Sequence, residues 1–99
     1  MLRTIILNSN YTFEIDGFSR NSSVQDGKLV SSAYVTLKDP TDAVIEELRG
    51  LALYTVNDLK LKADDTVVYH LEDLDAQITS IDESFGEDGK MRTNFHIRL

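Results

Sequence analysis

The stretch ITSIDESFGEDGKMRTNFHIRL, residues 78–99, sets four acids and two glycines between two runs of alternating residues. Its acids invite a metal reading. A calcium loop of the EF-hand type needs oxygen ligands at alternate positions, Gly at the sixth and Glu at the twelfth. Counted from Asp82, the fifth position is Gly86, the sixth Glu87 and the twelfth Thr93, and both flanks are strand-like. A hairpin accounts for every residue instead. Glu87-Asp88-Gly89 suits a type I turn followed by glycine in the left-handed region, the common three-residue loop. That register sets Gly86 opposite Lys90, Phe85 opposite Met91, Ile81 opposite Phe95 and Thr79 opposite Ile97. One face is then apolar except at Glu83 and Thr93. The other gathers Ser80, Asp82 and Ser84 against Arg92, Asn94 and His96, with Asp82 and Arg92 as a diagonal ion pair.

Alternation of this kind runs through most of the chain. LRTIIL (2–7) is a short apolar strand closed by a turn at NSN. In YTFEID the residues Tyr11, Phe13 and Ile15 share one face, the period of a half-buried strand. Asp16-Gly17 reads as a break, FSRNSSV as a weaker polar strand, and QDG (25–27) as the next turn. From Lys28 to Lys38, Leu29, Ala33, Val35 and Leu37 fall on the inward frame. Further strands are expected at 53–61, 67–71, 74–85 and 91–99, with a bulge or tight turn at Glu72-Asp73, where the apolar phase changes.

One helix interrupts the strands. Asp39 is expected to cap it, with Pro40 at its first position and Asp42 beside the exposed N–H groups. Val44, Ile45, Leu48 and Leu51 form an apolar stripe, and Gly50 is the expected left-handed stop. So short a helix must lie on the sheet to be stable. These elements predict an α+β fold: a twisted antiparallel sheet or partly closed barrel of about seven strands, with one short helix packed on it. At 99 residues there is room for a single domain, residues 1–99.

Charge and composition narrow the function. The net charge is −7, yet residues 1–62 hold eight acids against seven bases. Residues 64–88 hold nine acids and no Lys or Arg, after which Lys90, Arg92 and Arg98 stand without an acid. A nucleic-acid binder needs a cationic stripe to meet phosphates, so nucleic acid is not an expected partner. No apolar run approaches the roughly 20 residues that span a bilayer, and the N-terminus has no secretory pattern, so no membrane partner is expected. Cysteine is absent, which excludes thiolate metal sites, disulfides and thiol nucleophiles.

Catalytic signatures are also missing from the expected set. No serine stands in a Gly-x-Ser-x-Gly elbow, and the five glycines are isolated. The adjacent acids Glu46-Glu47, Asp64-Asp65 and Glu72-Asp73 share exposed segments, whereas acid–base work needs carboxylates in contrasting environments. His70 and His96 read as solvated or hydrogen-bonded side chains. No catalytic, cofactor-binding or metal-ligating residue is therefore assigned, and the expected partner is protein. The segregated charge selects Arg92, His96, Arg98, Asp73 and Asp75 as interface candidates. A terminal strand available as an edge would favour head-to-tail contacts between copies, which close into rings when the rotation allows.

The order of YTFEIDGFSRNSSVQDGKL (11–29), PTDAVIEELRGL (40–51) and LEDLDAQITSIDESFGEDGKMRTNFHIRL (71–99) resembles the small, β-rich structural proteins of tailed phages and prophages of Gram-positive bacteria. The resemblance implies a non-enzymatic, tail-associated assembly protein, found in the bacterial cytoplasm during assembly or in the virion. The alternative is a monomeric acidic binding module or inhibitor that engages a basic partner.

Overall fold

The computed structural model describes residues 1–99. Seven strands follow the chain as β1 (Arg3–Leu7), β2 (Tyr11–Gln25), β3 (Lys28–Leu37), β4 (Leu59–Ala63), β5 (Thr66–Leu71), β6 (Gln77–Phe85) and β7 (Met91–Arg98). The helix α1 (Asp42–Leu51) separates β3 from β4. All pairings are antiparallel, in the order β5-β4-β1-β2-β3-β7-β6. With 61% of residues in strand and 10% in helix, the fold is β-rich rather than α+β. The sheet is open, not a partly closed barrel. The helix is a cover over a β structure, not a second layer.

Strand β2 joins the two halves of the sheet. Its first residues pair with β1 (Leu7↔Tyr11 to Thr4↔Glu14), and the rest pairs with β3 from Ile15↔Leu37 to Gln25↔Lys28. The partner changes at a bulge between Ile15 and Gly17, so the expected break is a bend within one strand. That bend lets the halves face each other: Phe18 lies 6.0 Å, ring to ring, from Tyr69, and Arg20 donates to the Tyr69 hydroxyl at 2.9 Å. Beyond the ladders, Val56 and Ala76 exchange both backbone hydrogen bonds at 2.7 and 3.0 Å.

The core lies between the two halves and α1. It gathers Ile5, Leu7, Phe13 and Ile15 from the first half with Val35, Leu37, Phe95 and Ile97 from the second. Phe13 and Phe95 meet edge-on at 6.5 Å. Leu48 and Leu51 bring the helix stripe onto this cluster.

The helix ends differ from expectation. The N-cap is Thr41, whose Oγ1 accepts from the Val44 N–H at 3.3 Å. Asp39 cannot cap because it turns the chain out of β3 with φ +41. Gly50 is helical rather than left-handed, and the helix runs on to bury Leu51. The strand expected at 53–61 begins only at Leu59, since the chain first crosses back from the helix through the Val56 bridge. The terminal strand is not an edge. β7 lies between β3 and β6, and the outer strands are β5 and β6.

Candidate interaction surface

The hairpin of β6 and β7 keeps the expected register from Phe85↔Met91 to Ile81↔Phe95. At its turn the Gly86 N–H donates to the Lys90 carbonyl at 2.8 Å, and Gly89 takes φ +80. Further along, the register shifts between Ile78 and Ser80, so Ile78 rather than Thr79 opposes Ile97. The bulge keeps Ile78 on the core face, where it is buried.

The expected Asp82–Arg92 pair does not form. Arg92 turns back on the loop and donates to both carboxylate oxygens of Asp88, at 3.2 and 2.6 Å. Its guanidinium lies across Gly86, where any Cβ would collide with it. These bonds, together with the Lys90 N–H at 3.1 Å, hold the Asp88 carboxyl below its ordinary value of 3.8. A carboxyl lowered on folding contributes its stability above that ordinary value and loses it as pH falls through the lowered one. The Asp88 side-chain signal, followed by NMR, should titrate with a midpoint below 3.8 and return toward it in Arg92→Ala. A midpoint unmoved by that change would remove Arg92 as the cause.

Asp82 instead faces His96, at 3.5 Å, and His96 meets the Tyr34 ring edge-on at 4.6 Å. Arg98 donates to the Gln77 side chain at 2.9 Å. Arg92, His96 and Arg98 thus share the outer face of β7 but spread over its whole length, about 20 Å. Asp73 and Asp75 are exposed in the connection from β5 to β6, beside the Arg98 end, and Asp73 turns the chain with φ +53. The five residues do not converge on one site. Glu83, the expected exception on the apolar face, is met by Arg49 of α1 at 2.9 Å.

On the other side of the sheet, His70 Nε2 lies 2.6 Å from Asp58, and its Nδ1 lies 3.8 Å from Glu72. Asn8 supports the segment before β4 by accepting from the Asn57 and Asp58 N–H groups and donating to the Thr55 carbonyl. This network ties edge strand β5 to the β1–β2 turn. No three carboxylate or imidazole side chains are arranged to hold a metal ion.

Apolar residues left uncovered mark a different surface. Beyond Ser31 the β2–β3 hairpin stands clear as a two-stranded arm, and residues 19–30 are all exposed. Its Asp26-Gly27 turn has positive φ at both residues, as a tight two-residue hairpin turn requires. Val24 and Leu29 oppose each other near the tip and are 73% and 71% exposed. Leu29 shares the alternation frame of the buried Ala33, Val35 and Leu37, so this rung continues the core face into solvent. At the opposite end of the same half, Phe85 and Met91 form another exposed rung, in frame with the buried Thr93, Phe95 and Ile97. The core-facing surface overhangs its cover at both ends. Sequence pattern placed Leu29, Phe85 and Met91 on the inward frame and left Val24 in a polar strand, but alternation carries no information on where the cover stops.

The edge strands are guarded. β5 and β6 each carry a bulge, opposite Leu61/Lys62 and near Thr79, and bulges twist an edge away from flat pairing with another chain. The overhanging rungs have no such protection.

The architecture defines a class first: an open antiparallel sheet of seven strands, bent at one shared strand and covered by a single helix. Among solved structures it is similar to Hcp1 from Flavobacterium johnsoniae, with a TM-score of 0.63 and 12% identity. The likeness covers 100% of this chain and 90% of that one, and it shows a common fold. No family model matches the chain, and no curated protein matches it.

Proposed function

We propose that this protein is a non-enzymatic structural subunit of a tube-like assembly, of the kind built by tailed phages, prophages and related secretion systems. The observation that carries the reading is the pair of uncovered apolar rungs, Val24/Leu29 and Phe85/Met91, at opposite ends of one face. A monomer gains nothing from extending its core face past its cover; an assembly does. The fold likeness supports the same reading, because Hcp1 is a tube protein of type VI secretion with a phage-tail-tube-like fold. On this reading the subunits are homo-oligomeric and meet in the bacterial cytoplasm during assembly, or in the finished particle.

Sedimentation over a rising concentration series tests it. The wild type is expected to pass beyond the monomer, and Leu29→Asp should shift it back while leaving the unfolding curve of the monomer unchanged. Charged contacts at the rim are screened beyond about 8 Å at physiological ionic strength, so salt should weaken but not abolish association. A wild type that stays monomeric at high concentration would overturn the proposal. The acidic binding module, with Asp64, Asp65, Asp73 and Asp75 free of basic partners in the chain, would then be the better reading.

A further inference from the structure

We infer that the open end of the core is a binding site for a small amphipathic carboxylate, with Arg3 receiving the anion beside an apolar floor. β1 and β4 pair from Leu7↔Leu59 to Arg3↔Ala63. Burial falls along both strands, from the wholly buried Leu7 and Leu59 to the half-buried Ala63 and the exposed Arg3. At that open end the two halves of the sheet flank a cleft of about 190 Å³. Leu61, Ala63 and Val68 line it from one half, and Ile15 and Phe18 from the strand that bends into the other. None of the four exposed rung residues lies in it, so the inference stands apart from the assembly reading.

Three observations point to this ligand. The first is an unused cation. Four of the five arginines have a side-chain partner: Arg20 the Tyr69 hydroxyl, Arg49 Glu46 and Glu83, Arg92 Asp88, and Arg98 Gln77. Arg3 has none. Alternation sets it on the face of Ile5 and Leu7, beside Ala63, and so on the side of the cleft. Thr4 and Lys62 of the next rung also line the cleft, but alternation sends their side chains to the opposite face. Asp64, just beyond Ala63, accepts from the Leu2 N–H at 2.9 Å and makes no ion pair with Arg3. A guanidinium fork matches the two oxygens of a carboxylate.

The second observation is the bulge of β5. Tyr69 opposes Leu61 and Val67 opposes Lys62, so Val68 is an extra residue, and it lines the cleft. Bulges re-aim side chains in this way beside functional sites. The third is preorganisation. The Phe18 and Tyr69 rings lie 6.0 Å apart, and Arg20 bonds the Tyr69 hydroxyl at 2.9 Å, which ties one half to the other next to the cleft. Its walls are set before a ligand arrives. At about 190 Å³ the cleft is smaller than the roughly 300–1,000 Å³ of sites for drug-sized ligands. Size and a single cation together select a short-chain or single-ring monocarboxylate.

Hexanoate, titrated against the wild type and followed by NMR, tests the site. Signals of Leu61, Ala63 and Val68 should move together, with a Kd on the order of millimolar for a ligand of about eight heavy atoms. Hexanol keeps the chain without the charge and should bind about 5- to 10-fold more weakly, with hexylammonium weaker still. Arg3→Gln should bring hexanoate down to the level of hexanol, whereas Lys62→Gln should leave it unchanged. The reverse would overturn Arg3 as the partner of the anion. Ala63→Leu fills the cleft and should abolish binding of acid and alcohol alike, with urea unfolding confirming the fold. Acetate, the charge without the chain, should move none of these signals; binding equal to that of hexanoate would mean an adventitious ion only. Leu29→Asp should bind hexanoate as the wild type does, and a loss there would overturn a site within one chain. Hexanol bound as tightly as hexanoate, or signals that move only elsewhere, would overturn the proposal.

Discussion

Phe95→Ala is expected to lower the unfolding free energy by about 3–5 kcal/mol, the largest effect of any single truncation considered for this protein. Phe95 is wholly buried at the centre of β7, paired across to Val35 on one side and Ile81 on the other. Its ring stands edge-on to Phe13, which arrives from the opposite half of the sheet. Removing it takes away the transfer free energy of the ring and leaves a void between two halves joined by one continuous strand. Neither half can close that void alone. Small domains are stable by only about 5–15 kcal/mol, so the loss is a large share of the total. Phe95→Leu keeps most of the volume and should cost under about 1.5 kcal/mol. Urea unfolding measures both; a change of less than about 1 kcal/mol for the alanine variant would mean that the two halves do not share one core.

Leu48→Ala tests the helix in the same experiment, with an expected loss of about 2–5 kcal/mol. Alanine is the best helix former, so the substitution leaves the helix itself unharmed and reports packing. Leu48 is fully buried within a single chain, beside Leu51. If the helix stripe were completed only by a neighbouring copy, the isolated monomer would lose well under 1 kcal/mol. The loss would then appear in the assembly instead.

Much of this fold was legible because alternation reports which side of a strand faces the core. Tyr11 to Ile15, Ala33 to Leu37 and Ile81 to Phe95 all follow the frame that their apolar residues define. The Glu87-Asp88-Gly89 turn was legible because only glycine relaxes at its left-handed position. What alternation does not encode is how strands end and what covers them. It could not show that β2 bends and passes between halves, that the outer strands stay apart, or that the helix is too small a share of the chain to define its class. Asp39 and Gly50 matched cap positions by residue type, yet the chain needed Asp39 to turn and Leu51 to reach the core.

The candidate surface was less legible than the fold. Charge segregation along the chain suggested Arg92, but folding sets Asp88 within reach and Gly86 leaves the path open. Val24, Leu29, Phe85 and Met91 have the frame of core residues, and their exposure follows from the length of the cover rather than from their neighbours in sequence.

The strand order also has a kinetic consequence. β1, β2 and β3 form a meander from consecutive residues, and each of the hairpins β4–β5 and β6–β7 closes over a short turn. The hairpins attach to opposite flanks, β4 on β1 and β7 on β3, through pairings between distant parts of the chain. Closing such long loops is entropically costly and slow, while the local hairpins form in microseconds. The meander is therefore the template, and the two hairpins are late arrivals that dock independently on either side of it. A chain still emerging from a ribosome would fill the β1 flank of that template first, once β4 had appeared, and would hold the β3 flank unpaired until β7 followed.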